Sequence, residues 1–365
     1  MKMRVLSVVL AGLVIAGCGI PSPLRAGVGA RIGAASLEAG LDLTGAESLA
    51  WKFLATHPTG IPSVLVSIEG QGLDPSGRLM TPDGSWSFVF RHGSQLGPGV
   101  IVHADSTVQS FSVSTHGRTD RVVTSWADPA ALLHGTMGDR DSQGPFNLQF
   151  EADPEGLSTI AIIRASSGAQ VCLDAKSGQA YRPVRTDVAQ HIEAALTRFF
   201  NAIWDQDLAV DGRLEIPIAE VVAQGWLSQG AALRLDRNAN GQLDRAEFVA
   251  QAKSSGPIYQ IHSLAANVFD YTPHDPAGLG RNQRTIDVPL GAKYEPGKPL
   301  QPQHVTITIP PDAFDAADAD GDGFLSRSEA IIPIVEALVD AFKQSRELRQ
   351  SGAGLFGEQA LPWAH

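Results

Sequence analysis

Asp318-Ala319-Asp320-Gly321-Asp322-Gly323-Phe324-Leu325-Ser326-Arg327-Ser328-Glu329 decides how the C-terminal half of this chain is read. Oxygen-bearing side chains stand at its first, third, fifth, ninth and twelfth positions: Asp318, Asp320, Asp322, Ser326 and Glu329. Position six, where the backbone must fold back with positive φ, is Gly323. Position seven, Phe324, offers a backbone carbonyl, and position eight, Leu325, is the apolar anchor beneath the loop. Such a turn directs six to eight oxygens at one hard divalent cation, about 2.3–2.6 Å from each.

A second stretch, Asp236-Arg237-Asn238-Ala239-Asn240-Gly241-Gln242-Leu243-Asp244-Arg245-Ala246-Glu247, repeats the pattern. Asp236, Asn238, Asn240, the carbonyl of Gln242, Asp244 and Glu247 fall at the ligand positions, with Gly241 sixth and Leu243 eighth. Both stretches resemble the EF-hand loop, which implies two bound Ca2+ ions, one at each. That family places an aromatic residue four positions before the loop. Phe314 stands there in one stretch and Ala232 in the other. Dockerin repeats use similar loops, but in close tandem and usually with Asp at position twelve, which disagrees with Glu247 and Glu329. EF-hands usually pair. The best partner for the first loop in the sequence is Asp207–Ile218, a degenerate hand lacking ligands at Ala209 and Ile218, with Leu214 expected to pair with Leu243. The 318 loop has no partner legible in the sequence.

Around these loops the periodicity is helical. Val188, Ile192, Leu196, Phe199, Phe200, Ile203 and Trp204 recur at three- and four-residue spacings and predict one helix, with Asp187 at the capping position. Residues 186–255 therefore read as an EF-hand pair whose first hand is degenerate. Residues 256–310 carry Pro257, Pro273, Pro276, Pro289, Pro296, Pro299, Pro302 and Pro310 and read as an irregular connector. Alternation at Thr285–Val288 and His304–Ile309 predicts a hairpin within it. Residues 311–350 form the other hand, entered by a short helix, with Pro333 expected to kink or split the exiting helix. Residues 351–365 are left as a tail.

The N-terminal half has strand periodicity. Residues 41–185 read as two halves, each a helical pattern followed by strands: Ala46–Thr56 with Trp86–Arg91 and Val100–Asp105, then Asp128–Gly138 with Ile160–Arg164 and Val171–Asp174. Gln109-Ser110-Phe111 and Gln179-Ala180-Tyr181 close the two halves. The segment Val171-Cys172-Leu173-Asp174-Ala175-Lys176-Ser177-Gly178-Gln179 resembles the closing hairpin of PepSY domains. That resemblance implies tandem helix-plus-antiparallel-sheet modules and, as the alternative function, a domain that binds or inhibits an exported protease while calcium stabilises it. The expected fold class is α+β: a two-repeat helix-and-sheet domain followed by a helical EF-hand region.

The chain opens Met-Lys-Met-Arg, continues with the apolar run Val5–Ile15 and reaches Ile15-Ala16-Gly17-Cys18. The apolar run is too short to span a bilayer and has the form of a signal peptide. The Cys resembles the lipobox of bacterial lipoproteins, which implies cleavage after residue 17, lipid on Cys18, a tether over 18–40, and an extracytoplasmic protein anchored to a bacterial membrane. Net charge is −11, and loss of Lys2 and Arg4 would leave 26 basic against 39 acidic residues. That balance disfavours nucleic acid as a partner and suits divalent cations. Cys172, the other cysteine, reads as a buried structural thiol. No Gly-x-Ser-x-Gly, His-Glu-x-x-His, Gly-x-Gly-x-x-Gly or Walker pattern occurs, and the ten His are scattered, so no enzyme activity is expected. Calcium is expected to be structural, with an exported protein as a further partner.

Overall fold

The computed structural model describes residues 30–31 and 40–356, apart from 57–62, 81, 93–94, 113–122, 124, 135–143 and 294–300. Residues 1–29, with the expected signal peptide and Cys18, most of the 18–40 tether, His116 and the last residues of the chain lie outside the described residues. The fold is α+β.

An antiparallel sheet is built from β1 (Ala30–Arg31), β2 (Ser63–Leu73), β3 (Ser85–His92), β4 (Gln95–His103), β5 (Thr107–Phe111), β6 (Phe146–Ala152), β7 (Thr159–Ala165) and β8 (Gln170–Asp174), in the order β1-β5-β4-β3-β2-β6-β7-β8. From the central β2·β6 pair the chain meanders outward on both sides. Helices α1 (Leu43–Thr56) and α2 (Pro129–Leu133) precede the two groups of strands. Asp128 caps α2, accepting a bond from the Ala130 N–H.

The alternation of β7 divides two cores. Ala161 and Ile163 face a core with Trp86, Phe88, Phe90, Leu148 and Phe150 beneath α1. Ile160 and Ile162 turn the other way and join a core of the helical region. Every residue of Thr159–Ile163 is therefore buried, because this part of the sheet is covered on both faces. Cys172 is fully buried on the helix-covered side.

The helical region begins with α3 (Thr186–Ile203), whose Val188, Ile192, Leu196, Phe199, Phe200 and Ile203 form a continuous buried stripe. Its cap is Arg185, two places before the expected Asp187, which lies inside the first turn. The chain continues through a π-helical turn over Trp204–Leu208, β9 (Glu215–Pro217), α4 (Ile218–Ala223), α5 (Gln229–Leu235), β10 (Gln242–Asp244) and α6 (Arg245–Val249).

Three sequence expectations are corrected here. Residues 255–271 are not irregular: they form α7 (Ser255–Tyr271). Pro257 lies in the first turn, where a missing N–H costs no intrahelical bond, and Ile258, Ile261, Ala265 and Phe269 are buried. Of the two effects expected at Pro333, the split does not occur: α9 runs unbroken over Arg327–Lys343, packed on α3 and α7. Part of the supposed tail is helix, since α10 covers Arg346–Phe356 and buries Ala353. The expected hairpin forms from β12 (Thr285–Lys293) and β13 (Gln301–Thr308), between the short strand β11 (Leu279–Gly280) and α8 (Pro311–Ala317). The last strand, β14, is Phe324–Leu325.

Candidate metal centre

The 318 loop lies between α8 and α9 and is shaped by bonds from its own backbone. The carboxylate of Asp318 accepts from the Gly321 N–H at 2.9 Å and the Gly323 N–H at 3.0 Å. Asp320 accepts from the Asp322 N–H at 3.2 Å, and Asp322 from the Phe324 N–H at 2.8 Å. Glu329 closes the loop, accepting from Ala319 N–H at 3.0 Å, Ser326 N–H at 2.9 Å and the Ser326 hydroxyl at 2.6 Å. The Ser326 hydroxyl is the foremost cause that holds the Glu329 carboxyl below the ordinary range, so it stays charged further into acid than a free glutamate. Gly323 has φ of 85°, as position six requires.

Carboxylate oxygens of Asp318, Asp320 and Asp322 all lie within 4.8 Å of one another. Oxygens bound to one calcium at about 2.3–2.6 Å can be at most about 5 Å apart. The three side chains therefore fit a single calcium ion. Phe314 and Leu325 are buried beneath the loop.

The 236 loop, between α5 and α6, repeats five of these backbone bonds at the corresponding positions, while Asp236 takes its second bond from the Asn240 N–H at position five rather than from position four. Asp236 accepts from Gly241 N–H at 3.0 Å, Asn238 from Asn240 N–H at 3.0 Å, and Asn240 from Gln242 N–H at 2.8 Å. Glu247 accepts from Arg237 N–H at 3.0 Å and Asp244 N–H at 3.1 Å. Asp236 and Glu247 are buried, whereas Asp320 and Asp322 are exposed. Ala232 fills the place held by Phe314 in the other hand, and it too is buried.

Both loops have partner strands. β10 pairs with β9, with Leu243 opposite Ile216. The expected pairing with Leu214 is thus off by two residues: Ile216 is fully buried and Leu214 is 84% exposed. Asp207 is no loop ligand either. It lies in the π-helical turn that prolongs α3, its carboxylate taken by Arg349, whose Nε and Nη2 donate at 2.5 and 3.1 Å. The 318 loop, for which the sequence offered no partner, pairs through β14 with β11, Leu325 opposite Leu279.

The exit from the 318 loop is fastened to the sheet domain. Arg327 donates to the Asp270 carboxylate and to the carbonyl of Pro154 in the β6–β7 turn. Arg185 donates to the Ser328 carbonyl at 2.7 Å. Beneath this turn lies a buried polar group that the sequence did not reveal. His262 Nδ1 shares a hydrogen bond of 2.9 Å with the Tyr181 hydroxyl, and its Nε2 faces Glu155 at 3.4 Å. Contact with the His262 imidazole holds the Glu155 carboxyl below the ordinary range, while burial pushes the Tyr181 phenol up. His262, Tyr181 and Glu155 come from α7, the segment after β8 and the β6–β7 turn, so only the tertiary fold unites them.

Together these features define a calcium-binding element of the helix–loop–helix type. A family model described as EF hand matches residues 312–329. No curated protein and no solved structure matches the chain.

Proposed function

We propose that this chain is a calcium-binding lipoprotein of the bacterial envelope, without enzymatic activity, holding two calcium ions as structural staples in loops 236–247 and 318–329. The observation that carries the second ion is the agreement of five backbone bonds between the two loop scaffolds. Asp236, Asn238, Asn240, Gln242, Asp244 and Glu247 would hold one ion. Asp318, Asp320, Asp322, Phe324, Ser326 and Glu329 would hold the other. The 318 loop offers four carboxylates against three in the 236 loop, and more ligand charge favours tighter binding.

Calorimetry on the mature protein is expected to give two ions per chain. Glu329→Gln should remove the tighter phase and Glu247→Gln the weaker. The reverse assignment, or one ion in the unmodified protein, would overturn the corresponding part of this reading.

The envelope location rests on the basic start, the apolar run and Cys18. Among the described residues no helix is long and apolar enough to cross a membrane. Membrane attachment then depends on the lipid alone: Cys18→Ser should move the protein from the membrane fraction to the soluble one, and unchanged partition would refute the anchor.

A second reading concerns the sheet domain. The arrangement α1-β2-β3-β4 and α2-β6-β7-β8, joined at β2·β6, supports a duplicated, PepSY-like module. Its partner would then be an exported protein of the protease class, with calcium stabilising the neighbouring helices. Recovery of an exported protease with the calcium-loaded protein would favour it.

A further inference from the structure

We infer that loops 209–220 and 272–283 are EF-hand units that hold themselves closed with side chains in place of an ion, so that each calcium loop pairs with a partner already closed. This rests on the two-ion reading above for the calcium loops, but its own evidence is separate from it.

The register fixes the assignment. In paired hands the eighth positions face each other across the short ribbon, as Leu243 faces Ile216 and Leu325 faces Leu279. Counting from Ile216 makes Ala209 position one, Asp211 three, Arg213 five, Pro217 nine and Glu220 twelve. Counting from Leu279 makes Pro273 position two, Gly280 nine and Gln283 twelve. The flanking helices agree. α3 with its π-helical turn enters the first unit and α4 leaves it; α7 enters the second and a 3₁₀ turn over Arg281–Gln283 leaves it.

In the first unit a guanidinium joins the ligand positions. Arg213 Nε lies 2.7 Å from Asp211 Oδ2, and its two terminal nitrogens donate to the Glu220 carboxylate at 2.7 and 2.9 Å. The carboxylates at positions three and twelve thus converge on the fixed positive charge at position five, the electrostatic role proposed for an ion in the other hands. Position nine explains the change. In both calcium loops its N–H binds the closing glutamate, from Asp244 and Ser326. Pro217 has no N–H to give. Arg213 binds both Glu220 oxygens instead and holds that carboxyl below its ordinary range.

In the second unit the closing residue is an amide. Gln283 Oε1 accepts from the Gly280 N–H at 3.0 Å, the same position-nine bond that Glu247 and Glu329 make. In the calcium loops the position-two N–H, of Arg237 or Ala319, binds the other glutamate oxygen. Here position two is Pro273, and the polarity is reversed: Gln283 Nε2 donates to the Pro273 carbonyl at 2.6 Å. A carboxylate could not make that bond. Gly278 lets the two loops approach, because a Cβ there would sit 2.2 Å from the Leu325 carbonyl oxygen.

The helical region is then two EF-hand pairs in series, each with one hand closed by an ion and one closed by the chain. Arg213 and Gln283 are positioning residues for the neighbouring calcium loops, acting through the β9·β10 and β11·β14 ribbons.

The test uses the mature full-length protein, calcium isotherms and hydrogen exchange in chelator. In the unmodified protein residues 215–223 should stay protected without calcium. Arg213→Gln should speed their exchange and weaken the 236 loop by about 1.5- to fivefold, the range of exposed ion pairs, while leaving the 318 loop unchanged. Gln283→Ala should weaken the 318 loop and spare the 236 loop. Partial rescue by Arg213→Lys would support a role for the charge itself. Equal exchange in Arg213→Gln and the unmodified protein, or a third calcium in the unmodified protein by native mass spectrometry, would overturn the inference. If Glu247→Gln instead leaves the isotherm unchanged, the two-ion reading fails, and the exchange data still decide this one.

Discussion

Chelation of the calcium-loaded protein should lower its melting temperature by about 5–10 °C for each site emptied, with the loss confined to the helical region. An ion that binds only the folded form stabilises it by about 2.7 kcal/mol at a hundredfold excess over Kd, and each kcal/mol shifts the midpoint of a unit of 150–250 residues by about 2–4 °C. The local reason is charge. Asp318, Asp320 and Asp322 hold their carboxylates within 4.8 Å of one another, and they repel when no cation lies between them. Helix α8 has seven residues and is far too short to stand alone. Because Arg327 ties the loop exit to the Pro154 carbonyl and Arg185, just after the sheet, binds the Ser328 carbonyl of that exit, the junction with the sheet should loosen as the loop does. Hydrogen exchange should therefore rise over 311–345 and leave 85–111 unchanged. Equal protection with and without calcium, or an apolar surface exposed when calcium binds, would replace the staple with a sensor. The chain has four Met and none after Met137, so it lacks the methionine-lined groove that sensor hands often expose.

The largest single-residue effect is expected at Arg349. Its guanidinium, 8% exposed, binds Asp207, 3% exposed, through both carboxylate oxygens, and it also donates to the Lys343 carbonyl at 2.8 Å. Arg349→Met keeps much of the side-chain volume but removes the guanidinium hydrogen-bonded to the buried Asp207, leaving the exposed Arg346 at 3.9 Å from its carboxylate. Removing one partner of a buried pair costs about 3–5 kcal/mol, whereas removing both is often close to neutral. Urea unfolding should therefore show a large loss for Arg349→Met, recovered in good part by Asp207→Asn in the same chain. A single variant within about 0.5 kcal/mol of the unmodified protein would mean that water or Arg346 compensates Asp207 and that Arg349 is not the clasp. The same pair docks α10 onto the turn that ends α3. Gly352 lies close against Phe199 and Phe342 at that contact, where a Cβ would come within 2.8 Å of the Phe199 ring.

The sequence alone determined what is local. An EF-hand loop is a contiguous stretch of twelve residues whose ligand positions, glycine and anchor are set by spacing, so Asp318–Glu329 and the proposed second loop, Asp236–Glu247, could be laid out from the residues alone. The same holds for α3, whose three- and four-residue apolar spacing needs no partner to be seen, and for the strands around Trp86–Arg91 and Ile160–Arg164. Tertiary structure decided what depends on pairing. The partner of a calcium loop is set by which apolar residue is buried opposite its eighth position. Ile216 rather than Leu214 wins that place, and Leu279 wins the other, although neither lies in a loop with calcium ligands. Prolines misled the reading of 255–271 and of Pro333, because the cost of a missing N–H depends on the position in the helix and on the packing around it. Asp207 looked like a ligand because it stands before a Gly-containing acidic turn. Its actual partner is 142 positions away in sequence, and no local pattern can encode a contact of that kind. The Tyr181–His262–Glu155 group escaped notice for the same reason: hydrogen bonds between distant segments exist only once the cores have brought their backbones together.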